Sequence, residues 1–197
     1  LFMVRDAERA GKIKKGDTIL EATSGNTGIG LAMVGAALGY KVVLTMPECV
    51  SMERRKILEA FGAELILSPG CEGTDGAIRV ARRVMDEAGT KYFMPNQFDN
   101  PANVLAHYET TGREIIEQTD GRIDVFVAGM GTTGTLMGAG RRLREFDPKI
   151  RIVGVEPNLG HKIQGLKNMK ESIVPKNYDP TFADEMRAQG HPAPRVV

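Results

Sequence analysis

No stretch of this chain approaches the roughly 20 consecutive apolar residues of a membrane-spanning helix, and its start lacks the anatomy of a signal peptide. Charge of one sign is lacking too: 26 Lys and Arg against 25 Asp and Glu leave a formal net charge of +1. That balance argues against a nucleic-acid surface and against a charge-driven disordered tail. Cysteine is scarce. Cys49 and Cys71 stand in no CxxC or metal-ligand spacing, so neither a disulfide framework nor a metal site is expected. Two free thiols fit a reducing compartment, the cytoplasm. Internal repeats and low-complexity segments are absent as well. What remains, 197 residues with 42% hydrophobic content, suffices to bury a core as one large domain or two small ones.

Residues Leu1 to Gly11 read as an amphipathic helix with a glycine stop, opening with neither an initiator methionine nor an N-cap. The expectation is a fragment that starts inside an element. Apolar runs then alternate with helical patterns. The spacing predicts strands at Asp17–Ala22, Lys41–Met46, Glu64–Leu67, Tyr92–Met94, Asp124–Ala128 and Arg151–Glu156. Helices are predicted at Thr27–Leu38, Ser51–Phe61, Thr74–Ala88, Ala102–Gln118 and Thr135–Phe146. This is an α/β fold with mostly parallel sheets, and the run Lys41-Val42-Val43-Leu44 suits a strand covered on both faces. After Glu156 the chain reads as loop. A division near Tyr108–Gly112 predicts an N-terminal part, 1–110, and a second part, 111–197.

Two strands run into turns rich in glycine and hydroxyls that open helices. One is Thr23-Ser24-Gly25-Asn26-Thr27-Gly28, the other Gly129-Met130-Gly131-Thr132-Thr133-Gly134-Thr135. A helix start presents N–H groups and a positive dipole end, so such a turn suits an anion. The second turn matches GxGxxG, with Glu156 about 20 residues on as a ribose-binding acid, as in a dinucleotide fingerprint. Its three threonines suit a phosphate monoester instead, and a purely structural glycine turn is the plain alternative. No lysine follows Gly134, which excludes a Walker loop. The first turn carries no acid and suits a small carboxylate, with an ordinary N-cap as its plain reading. The Asn26 amide can donate to a phenolate-type oxygen.

Further blocks extend the pattern: Met46-Pro47-Glu48 with Ser51 to Lys56, Asn96 to Asn103 with Thr110-Thr111-Gly112, and Val155-Glu156-Pro157 with His161 to Gly165. Together with the two turns they resemble the pyridoxal-phosphate β-replacement enzymes of the cysteine synthase and cystathionine β-synthase family, PLP fold type II, to about Asp179. The resemblance implies two subdomains and pyridoxal 5'-phosphate as cofactor. It implies that Thr23, Ser24, Thr27 and Gln97 hold a substrate α-carboxylate and that Asn26 bonds the cofactor 3'-oxygen. Gly131, Thr132, Thr133, Gly134 and Thr135 would form the cofactor phosphate cup. Thr133 departs from the family's usual Gly-Thr-Gly-Gly-Thr.

The implied activity is formation of L-cysteine from O-acetylserine or O-phosphoserine and a sulfur donor. A cystathionine β-synthase or a threonine-dehydratase-like lyase is the alternative within enzymes, and a truncated, catalytically dead binding relative is the alternative outside them. No residue here matches the family's Schiff-base lysine, which lies upstream of the first helix pattern. Lys12, Lys14 and Lys15 read as a solvated turn. Leu166 to Lys170 replaces a glycine-rich stretch and points to the O-phosphoserine branch, with Lys167 reading the substrate phosphate or, on the plain reading, sitting on a surface loop. The family implies a homodimer, and serine acetyltransferase or a sulfur-carrier protein as partner. His107 reads as a packing or capping histidine, and Met33, Met46, Met52, Met85 and Met94 as core fillers.

Overall fold

A computed structural model of the chain describes residues 1–23, 25–161 and 163–188. They form two compact units, Leu1–Gln97 and Phe98 onward. The division falls earlier than the one expected at 110/111. Residues 101–111 pack against a helix of the second unit, and that tertiary contact has no composition shift to announce it.

In the first unit, α1 (Phe2–Arg9) precedes β1 (Thr18–Ala22), α2 (Asn26–Leu38), β2 (Lys41–Pro47), α3 (Met52–Ala60), β3 (Glu64–Ser68), α4 (Gly73–Ala88) and β4 (Tyr92–Phe93). The sheet order is β3-β2-β1-β4, and every pairing is parallel. Each βα connection therefore returns the chain to the same end, and all strand C-termini share one edge. β2 is buried from Val42 to Pro47, both sets of alternating residues included, so helices cover both of its faces. Its Pro47 closes the strand, one residue further than expected. Ile19, Leu31, Val42, Leu44 and Met46 centre the core. α2 comes close to β2 because Gly35 has no side chain: a Cβ there would lie 2.3 Å from Val42 Cγ2.

The second unit holds α5 (Pro101–Ala106), a π-helical turn (His107–Thr111), α6 (Gly112–Gln118), β5 (Val125–Gly129), α7 (Gly134–Phe146), β6 (Arg151–Glu156) and β7 (Glu185–Ala188). Its sheet is parallel in the order β5-β6-β7, over a core of Met130, Leu136, Leu143, Ile150 and Ile152. The single helix expected over Ala102–Gln118 is broken by the π turn. There Thr110 Oγ1 donates back to Ala106 O at 2.7 Å, and α7 presses so close that a Cβ on Gly138 would lie 2.2 Å from Val104 O. β7 has no apolar run and was expected as loop. It is a strand because its neighbours bind it: Asp184 accepts Ile152 N at 2.6 Å and pairs with Arg144 at 2.7 Å, and Glu185 pairs with Arg151 at 3.1 Å. Met46 is core, but Met33 and Met52 are exposed, contrary to expectation. Lys12, Lys14 and Lys15 are exposed. Among the described residues no helix is long and apolar enough to cross a membrane.

Candidate active site

The first turn leaves β1 at its C-terminal end. Thr23 is buried, and its N–H donates to Thr45 O at 2.9 Å. Its Oγ1 accepts Gly25 N at 3.2 Å, so this hydroxyl shapes the loop from within. α2 begins at Asn26 with Gly25 as N-cap; among the described residues no side chain caps it and no acid stands in its first turn. No acid of its own first turn therefore offsets the positive end of the helix dipole. Asn26 is exposed and Thr27 half-buried. Ser24 lies outside the described residues. Gly28 is needed for packing, since a Cβ would meet Thr23 Cγ2 at 2.6 Å.

Beside this turn lies a residue that the sequence reading passed over as plain strand. Glu21 is 1% exposed. Its Oε1 accepts Ala22 N at 3.0 Å and its Oε2 accepts Gln97 N at 3.1 Å. Burial pushes its carboxyl up to about 7, against the pull of the N–H groups of Gln97, Ala22 and Asn96. Gln97 is itself buried, and its Nε2 donates to Ala22 O at 2.8 Å. Thr23, Asn26, Thr27 and Gln97 thus gather at the C-terminal ends of β1 and β4. A charged residue amid an apolar strand run was the available signal for Glu21.

In the second unit, Gly131, Thr132 and Thr133 form the loop from β5 into α7, and Gly134 and Thr135 open the helix. Thr133 is the N-cap with φ 64°, in the left-handed region. A glycine takes that conformation without cost, whereas a β-branched residue is strained in it. Glycine, the residue the resemblance leads one to expect here, would carry no such strain. Its Oγ1 is buried with no hydrogen-bond partner among the described residues. Gly131 and Gly134 are fixed by close contacts: a Cβ would meet Gly165 O at 2.6 Å and Asn103 Oδ1 at 2.3 Å. Thr132 Oγ1 accepts Asn103 Nδ2 at 3.0 Å, and Thr135 Oγ1 lies 3.2 Å from His107 Nε2. His107 Nδ1 in turn meets Thr111 Oγ1 at 2.9 Å. His107 and Asn103 therefore brace the cup, roles that sequence spacing gave no sign of. Burial holds the His107 imidazole below its usual value.

Lys167 is not the surface lysine of the plain reading. It is 3% exposed, its N–H donates to Met130 O at 2.7 Å, and its Nζ stands 5.2 Å from the Phe98 ring centroid. That is a cation–π distance. Glu156 accepts Met169 N at 3.1 Å, so the carboxylate that suggested a ribose contact ties down the 168–170 turn instead. Cys49 and Cys71 are free and exposed.

With this geometry in place, the sequence matches the pyridoxal-phosphate dependent enzyme family over residues 1–197. The chain belongs to that family. It is 53% identical over 185 residues to a cysteine synthase of Aquifex aeolicus (strain VF5), covering 93% of this chain and 57% of that protein. A cysteine synthase of Staphylococcus aureus (strain Mu50 / ATCC 700699) is 54% identical over 177 residues, covering 84% of this chain and 56% of the relative. The chain thus spans little more than half the length of these relatives. Among solved structures, a mutant of O-ureido-L-serine synthase with bound O-ureido-L-serine superposes with a TM-score of 0.87 at 44% identity, covering 95% of this chain and 60% of that one. A cysteine synthase of Entamoeba histolytica gives a TM-score of 0.81 at 41% identity, covering 95% and 57%. The fold is PLP fold type II. As a PLP-family chain it needs no dinucleotide reading of the 129–134 turn.

The cup residues fit a phosphate monoester. α7 is a 13-residue helix without an acid in its first turn, and a buried hydroxyl with no partner among the described residues stands at its N-cap. Thr132 Oγ1 is already an acceptor for Asn103, which leaves its O–H hydrogen available to donate.

Proposed function

We propose that the complete protein forms L-cysteine by PLP-dependent β-replacement on O-acetylserine or O-phosphoserine, with a sulfur donor as nucleophile. The observation that carries this reading is the 53% and 54% identity to cysteine synthases over most of the chain. When bound, the cofactor supplies the electron sink for α-proton loss and departure of the β-substituent.

The chain's own residues supply grip and orientation. In the first unit, the α2 N-terminus with Thr23, Ser24, Thr27 and Gln97 holds the substrate α-carboxylate, and the Asn26 amide donates to the cofactor 3'-oxygen. In the second unit, Gly131 to Thr135 hold the cofactor phosphate through N–H groups at the α7 N-terminus and through threonine hydroxyls. Asn103 and His107 set the rotamers of Thr132 and Thr135, so these donors do not reorganise on binding. Lys167, desolvated beside Phe98, offers a cation to a substrate phosphate and favours O-phosphoserine over O-acetylserine. A cytoplasmic homodimer, with serine acetyltransferase or a sulfur-carrier protein as its partner, completes this reading.

The test is turnover of the purified complete protein, loaded with PLP, on each serine ester with sulfide, and chromatographic detection of cysteine. Cysteine from at least one ester is expected. None from either ester overturns the proposal.

A further inference from the structure

β4 is short. Its ladder to β1 covers only Thr18↔Tyr92 and Ile19↔Phe93 and then stops, although β1 continues to Ala22. Beyond that point the chain turns through Asn96, whose φ of 52° is left-handed, and main-chain pairing with β1 cannot continue. The Glu21 carboxylate takes over from the missing ladder. It accepts Gln97 N at 3.1 Å and Ala22 N at 3.0 Å, and it takes the N–H of Asn96 as well. Ala22 O receives Gln97 Nε2 at 2.8 Å, so backbone and side chain of Gln97 are both fixed from β1.

A fully buried carboxylate on a central strand is expensive unless its lone pairs are filled. An apolar residue at position 21 would pack without that cost but would remove the acceptor that Gln97 N and Asn96 N use. The side chain that bears the cost is therefore the one that holds the turn in place. Thr23 lies two residues past Glu21, just beyond the end of β1, so the C-terminal end of this strand places both Thr23 and Gln97.

We propose that Glu21 is a positioning residue for amino-acid recognition: it sets the place and rotamer of Gln97, and through it the affinity for the substrate α-carboxylate, without touching the substrate. This rests on the reading of Gln97 as a carboxylate contact. Glu21 has no part in the phosphate cup, which belongs to the other unit. Its loss therefore separates amino-acid affinity from cofactor affinity, whereas general loosening of the protein lowers both.

The experiment uses the complete protein and the variants Glu21→Gln, Gln97→Ala and the double variant. Glu21→Gln keeps size and one acceptor but turns an N–H₂ toward a backbone N–H, so it disturbs the turn with little loss of packing. Two constants are read for each protein: the PLP dissociation constant from absorbance, and that of L-serine from the spectral change it causes in the loaded protein. Amide exchange at Asn96 and Gln97 is followed as a third readout. About a 10-fold weaker L-serine affinity is expected in each single variant, with no further loss in the double variant and PLP affinity within about 2-fold of wild type throughout. Faster exchange at Asn96 and Gln97 is expected in Glu21→Gln. Unchanged L-serine affinity in Glu21→Gln, multiplied losses in the double variant, or a parallel loss of PLP affinity overturns the proposal while leaving Gln97 as a carboxylate contact. Unchanged L-serine affinity in Gln97→Ala overturns the carboxylate reading itself, and the proposal with it.

Discussion

Asn103 Nδ2 donates to Thr132 Oγ1 at 3.0 Å, and the same side chain occupies the space a Cβ on Gly134 would need, its Oδ1 being 2.3 Å from that point. One amide thus orients a cup hydroxyl and dictates glycine at the first residue of α7.

Gly134→Ala is expected to drive Asn103 off Thr132, costing about 1–3 kcal/mol as an overpacked contact and weakening PLP binding. Removing the obstacle should repair the fold: Gly134→Ala with Asn103→Ala is expected to be more stable than Gly134→Ala alone. Thermal melts of wild type and the two variants check this. A double variant no more stable than the single one would mean the clash is not with Asn103.

Thr133 is held at φ 64° with a buried hydroxyl that has no partner among the described residues. Thr133→Gly is expected to stabilise the cofactor-free protein by about 1 kcal/mol through release of left-handed strain. It should also weaken phosphate binding, because a donor at the helix start is lost. Thr133→Val keeps the strain but removes that hydroxyl, so it should weaken binding while gaining stability through relief of the buried polar group alone. Melting temperature and PLP titration, read side by side, separate the two effects.

The Glu21 carboxyl is raised from 4.5 to about 7 by burial. A carboxyl with a folded value above its unfolded one stabilises the fold fully below the unfolded value, and that stabilisation is lost as pH rises through the folded value. The window therefore runs from 4.5 to about 7. At about 1.4 kcal/mol per unit, wild type should lose about 3 kcal/mol relative to Glu21→Gln between about pH 4.5 and 8. Denaturant titrations of both proteins across that range provide the measurement, and a constant gap would show that folding does not shift the Glu21 carboxyl from its unfolded value.

Burial depresses the His107 imidazole below its ordinary 6.5. A depressed base stabilises the fold above its unfolded value, and that contribution is lost as pH falls through the folded value. His107→Ala, which removes the contacts to Thr135 and Thr111, should cost about 1–2 kcal/mol at about pH 8 and less at about pH 5. Equal losses at both pH values would mean that folding does not depress the imidazole below its unfolded value.

Strands and helices with their own periodicity were legible in the sequence. β1, β2, β5 and β6 fall on apolar runs, α2 and α7 on the patterns that follow them, and the two helix-opening turns stand where glycine and threonine spacing put them. Elements defined by partners rather than by pattern were not legible. β7 is a strand because Asp184 and Glu185 bind β6 and Arg144, and the π turn exists because α7 lies against it. Nor was the burial of Lys167: a lysine among Leu166, Asn168 and Lys170 reads as solvated until its main chain is seen bonded to Met130.

The sequence by itself determined the α/β alternation, the family and which two turns open helices, because hydrophobic period and turn chemistry act over a few neighbouring residues. Only the tertiary structure decided that Glu21 and Gln97 meet across the strand ends, that Asn103 and His107 brace the cup, and that Thr133 bears left-handed strain. Those facts depend on contacts between residues far apart in the chain and on the loss of water around them. Neither is encoded in local spacing.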